Sequence, residues 1–61
     1  MSSVYIVRKI DDYEYGHRNI EAVFSEYEDA KKYIDNAGNH EVTFWDRRKI
    51  MLYTIERYTV N

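Results

Sequence analysis

No cysteine occurs in this chain of 61 residues, and that absence narrows what it can become more than any residue it contains. A chain of this length buries only about 60% of the surface its unfolded form exposes, so its margin of stability is thin. Small domains make up the deficit with disulfides, a structural metal or association with another subunit. Without thiols, disulfides and every thiolate-ligated zinc or iron–sulfur centre are excluded. The two histidines, His17 and His40, stand far apart without ligand spacing. A subunit partner is therefore the expected staple, and residues 1–61 are read as one domain.

Nine basic and eleven acidic side chains give a formal net charge of −2. That balance argues against a chain that binds nucleic acid through clustered positive charge. The opening residues, Met1 to Arg8, lack the basic stretch and long apolar core of a secretory signal. The longest unbroken apolar run, Val4 to Val7, falls far short of the roughly 20 residues that span a bilayer. Absence of cysteine fits a reducing compartment. The expectation is a cytoplasmic protein with no membrane partner.

Hydrophobic alternation from Val4 to Ile10 predicts a first strand, with Val4, Ile6 and Ile10 on one face and Tyr5 and Val7 on the other. Asp11 to Arg18, rich in Asp and containing Gly16, reads as a hairpin loop. A second strand follows over Asn19 to Phe24, with Ile20, Ala22 and Phe24 expected on one face. Ser25 and Glu28 form a capping-box pattern ahead of a helix over about 26–37. Tyr27, Ala30, Tyr33, Ile34 and Ala37 supply its apolar stripe, Glu28 and Lys32 an i,i+4 pair, and Gly38 its left-handed stop. Glu41 to Trp45 alternates again, with Val42 and Phe44 opposed to Thr43 and Trp45. Asp46 to Lys49 is a polar turn, and Ile50 to Val60 reads as one long last strand, apolar on both parities. The predicted fold is α+β: a small antiparallel or mixed sheet of about four strands with one helix packed across one face, in the order ββαββ. One helix covers one face only. A strand apolar on both faces is covered on both, so a second copy is expected on the other.

The segments Val4-Tyr5-Ile6-Val7, Ile20-Glu21-Ala22-Val23-Phe24-Ser25, Glu28-Asp29-Ala30-Lys31-Lys32-Tyr33-Ile34 and Tyr53-Thr54-Ile55-Glu56-Arg57-Tyr58-Thr59-Val60 carry a resemblance. Together they resemble a family of small, uncharacterised ββαββ domains of bacteria and their phages, with the pattern VYxV…VFSxxEDAxxYI…YxIxxYxV. The resemblance covers most of the chain outside 11–19 and 38–50, and Ala22 stands where the family often has glycine. Its motif residues all serve packing, so it defines a scaffold and carries no chemistry. It implies a compact accessory protein, often phage-encoded, of the kind that occludes a host protein, including defence systems of the Hachiman type.

Candidate chemistry is sparse. Ser2, Ser3 and Ser25 are the only serines, and none has a histidine near it in sequence, so no catalytic residue is assigned and an enzyme is not expected. Asp11, Asp12, Glu14 and His17 are hard-donor types that suit a divalent cation. They lack the ordered spacing of a calcium loop, and acidic loops are usually just solvated, so no metal or cofactor is assigned. Arg47, Arg48 and Lys49 beside Phe44 and Trp45 make a basic, aromatic hairpin of the kind that touches nucleic acid. Asp46 and Glu41 dilute its field. A small nucleic-acid-associated regulator using residues 44–49 is the alternative reading, and a steep loss of affinity with salt would distinguish it.

Seven tyrosines exceed what so small a core can hold, and tyrosine suits interfaces because it joins an apolar ring to a polar tip. Tyrosine also simply tiles the open face of a sheet. The expected partner-binding residues are Tyr5, Tyr13, Tyr15, Trp45, Arg47, Arg48, Met51, Tyr53 and Tyr58. The expected activity is non-enzymatic protein binding by a homodimer. With the resemblance, this becomes a phage-encoded inhibitor that binds a bacterial defence protein stoichiometrically in the host cytoplasm.

Overall fold

Strand-forming alternation dominates the chain, and the structure follows it. A computed structural model describes residues 2–12 and 17–60. Their elements are β1 (Ser2–Asp12), β2 (His17–Phe24), α1 (Tyr27–Asn36), β3 (Glu41–Thr43), β4 (Lys49–Met51) and β5 (Tyr53–Val60). β1 lies at the centre of a three-stranded sheet in the order β2-β1-β5, antiparallel to both neighbours. β3 and β4 form a separate two-stranded sheet.

This overturns the expected single sheet of about four strands. The described residues are mostly strand, with five strands in two small sheets and one short helix. The expected last strand, Ile50 to Val60, breaks at Leu52 because the backbone there changes partner. The Leu52 N–H donates to the His40 carbonyl at 2.9 Å, while its own carbonyl accepts from the Ile10 N–H at 3.0 Å. One residue thus joins the two sheets, and its side chain is buried between them.

α1 lies over one face of the three-stranded sheet. Val7, Ala30 and Ile34 are buried there, with Tyr5, Ala22, Phe24, Tyr33, Tyr53 and Ile55 packed around them. Ile10, Phe44 and Leu52 form a second buried cluster with Val42, Ile50 and Tyr53, so Tyr53 touches both. The second cluster closes the end of the sheet nearest the β3–β4 hairpin.

The helix boundaries follow its caps. Gly38 takes φ +79°, its N–H bonds the Asp35 carbonyl at 3.2 Å, and the Asn39 N–H bonds the Ile34 carbonyl at 3.0 Å. These two bonds make the Schellman ending that Gly38 predicts. The N-terminus differs from expectation. Glu26, not Ser25, occupies the N-cap, and no side chain bonds the first-turn amides, so the Ser25–Glu28 capping box does not form. The i,i+4 pair on the wet side is Lys31–Asp35 at 3.2 Å.

Candidate protein-binding face

The face of the three-stranded sheet away from α1 is the candidate site. In an antiparallel pair, residues directly opposite one another project to the same side. β1 places Val4, Ile6 and Arg8 on this face. β5 adds Thr54, Glu56 and Tyr58 opposite them, and Val60 beside Ser2. β2 contributes through an irregularity. Val7 pairs with Ala22 but Arg8 pairs with Ile20, so Glu21 is an extra residue and β2 bulges there. The bulge reverses the alternation, sending Ile20 to the side of Val23 and away from Ala22 and Phe24. Ile20 and Val23 are each 55% exposed, and Tyr58 is 57% exposed. A sequence reading that keeps strict alternation through β2 separates Val23 from Ala22 and Phe24 correctly but leaves Ile20 on the wrong face.

Within this apolar face sits one ion pair. The Arg8 Nε donates to Glu56 Oε2 at 3.1 Å, and both side chains remain partly solvated. On the opposite side, Arg57 Nε donates to the Ser3 hydroxyl at 3.2 Å. Both charges of β5 are therefore drawn inward onto β1.

The expected partner-binding residues are divided by the fold. Tyr58 lies on the open face. Tyr5 and Tyr53 lie on the helix side, where Tyr5 meets Tyr27 edge-on at 5.7 Å and Tyr53 meets Tyr33 edge-on at 6.4 Å. Met51 is exposed on β4, in the other sheet. Trp45, 75% exposed, and Arg47 stand on the turn between β3 and β4. Arg48 is held there by Asp46 at 2.6 Å and over the Phe44 ring at 5.1 Å, so one of the three positive charges of residues 47–49 is paired within the hairpin. Tyr13 and Tyr15 lie outside the described residues, as does Glu14. Among the described residues no three metal-ligating side chains come together, and Asp12 and His17 approach to 4.0 Å. No helix among them is long and apolar enough to cross a membrane. Comparison with protein-family models, with curated proteins and with solved structures finds no match to this chain.

Proposed function

We propose that the chain is a non-enzymatic protein-binding module that works as a homodimer, its three-stranded sheet carrying the contacts with a second copy and with a protein target. One observation carries this reading: Val4, Ile6, Ile20, Val23, Tyr58 and Val60 share a sheet face that no other described element covers beyond its Ile10 end. A contiguous apolar patch rimmed by polar residues marks an interaction surface more often than scattered apolar side chains do. Covering it contributes about 25 cal/mol per Å2 in a small domain with little stability to spare. The resemblance to small bacterial and phage domains extends the reading to an inhibitor that occludes a bacterial defence protein by stoichiometric binding in the host cytoplasm.

Light scattering over a dilution series, with the Ile20→Lys/Val23→Lys double variant beside the wild type, tests both halves. Two-chain mass is expected for the wild type. Both proteins should melt cooperatively, and only the wild type should hold its purified target at a fixed ratio. A single-chain mass at the highest concentrations removes the homodimer. Equal target binding by the double variant removes the open face.

A further inference from the structure

We propose that a second copy pairs antiparallel with the outer edge of β5, about a two-fold axis at Tyr58, fusing the two open faces into one six-stranded surface. This rests on the homodimer reading and puts the second copy at the sheet edge, which leaves the joined open faces to be covered by the protein target. β2 and β5 are the two edges of the sheet. The β2 edge is interrupted by the bulge at Glu21, a device that discourages strand addition. β5 pairs with β1 in unbroken register from Tyr53 to Val60.

The phase of the β5 hydrogen bonds shows which groups face out. The Ile10 N–H to Leu52 carbonyl bond continues the β1–β5 register, so even-numbered β5 residues bond β1 and odd-numbered ones point away. Tyr53 confirms the phase: its outward N–H and carbonyl both bond the side-chain amide of Asn39, at 2.8 and 3.3 Å. Asn39 thus closes the first step of the edge and leaves Ile55, Arg57 and Thr59 facing outward. Charged side chains normally guard such an edge. Here Glu56 is turned to Arg8 and Arg57 to Ser3, both back onto β1.

Charge then selects the register. Two-fold pairing centred on Arg57 sets Arg57 against its own copy, and pairing centred on Glu56 sets Glu56 against its own copy. Like charges directly opposite are destabilising. Centring on Tyr58 removes both conflicts; a centre at Ile55 would need the Tyr53 edge that Asn39 closes, and one at Thr59 overlaps less of β5. Arg57 then faces Thr59 of the second copy with reciprocal backbone bonds, Glu56 faces Val60, and the two Tyr58 rings meet on the open face. A two-fold contact closes on itself and leaves no further edge to propagate.

The chain's lack of cysteine makes the test clean. Single variants Glu56→Cys, Tyr58→Cys and Val23→Cys are oxidised mildly, and covalent dimer is followed with dilution. In a non-hydrogen-bonded antiparallel pair the Cα atoms stand about 4.5 Å apart, within disulfide reach. Tyr58→Cys is therefore expected to crosslink fastest, at a rate insensitive to dilution while the dimer persists. Thr59→Pro removes an outward N–H and spares the bonds to β1, so it should keep a cooperative melt, at a temperature lowered by what the second copy contributes, and scatter as one chain. Fastest crosslinking through Glu56→Cys, or through Val23→Cys, overturns the Tyr58 axis in favour of another register or of face-to-face packing, with the homodimer intact. Two-chain mass retained by Thr59→Pro overturns the edge contact as well. A wild type of single-chain mass at every concentration removes the homodimer and this geometry together.

Discussion

Asn39 serves as a one-residue strand for Tyr53: its side-chain amide donates to the Tyr53 carbonyl at 3.3 Å and accepts the Tyr53 N–H at 2.8 Å. Both bonds are part-buried and span the joint between the helix exit and the start of β5. Each hydrogen bond of this kind contributes roughly 0.5–1.5 kcal/mol. Asn39→Ala is expected to cost about 1–3 kcal/mol, a fall in melting temperature of several degrees in a domain of this size. Asn39→Asp keeps the acceptor and loses the donor, so it should be intermediate or worse. An Asn39→Ala melt that matches the wild type would show that water replaces the amide without loss.

Two positive φ angles predict substitutions of opposite sign. Gly38 sits at φ +79° with open space where a Cβ would project, so Gly38→Ala meets no clash and suffers only the conformational cost. That cost is roughly 1–2 kcal/mol for an L-residue in the left-handed region. Arg47 already bears such a cost at φ 72°, on the exposed turn beside Trp45. Arg47→Gly should raise the denaturation midpoint by the equivalent of a few tenths to about 1 kcal/mol, since glycine relieves the strain but frees the unfolded chain. A destabilised Arg47→Gly would mean that the arginine side chain contributes more than its backbone costs.

The helix start gives a prediction that differs from the sequence pattern. A capping box would make Ser25→Ala cost about 1 kcal/mol. With Glu26 at the N-cap and no side-chain bond to the first turn, Ser25→Ala should fall within about 0.5 kcal/mol of the wild type, as exposed substitutions usually do. Glu26→Asp shortens the side chain to one that caps, and should add on the order of 1 kcal/mol. Chemical denaturation of the two variants in parallel separates the alternatives. Loss of stability in Ser25→Ala would restore the capping box.

What the sequence by itself determined was local. Alternation from Val4 to Ile10 set β1 and sorted Val7 beneath the helix from Ile6 on the open face. Apolar spacing fixed α1, where Ala30 and Ile34 are buried, and Gly38 ended it, because only glycine enters the left-handed region without penalty. The opposition of buried Phe44 to exposed Trp45 was legible for the same reason. Each of these depends on side-chain periodicity or on one residue's backbone freedom, and needs no knowledge of a distant partner.

Three features were decided only by tertiary structure. The bulge at Glu21 exists because β2 must match β1 on both sides of Val7 and Arg8, and nothing within β2 marks it. It moved Ile20 from the expected helix side to the open face. The break at Leu52 exists because that residue's N–H and carbonyl bond His40 and Ile10, in different sheets. A continuous run of apolar residues cannot report a change of hydrogen-bonding partner. The pairing of Asn39 with Tyr53 joins residues fourteen positions apart, and it leaves the outer edge of β5 open only beyond that point. Strand pairing depends on partners far away in sequence, so the candidate binding face was legible in its residue types and not in its membership.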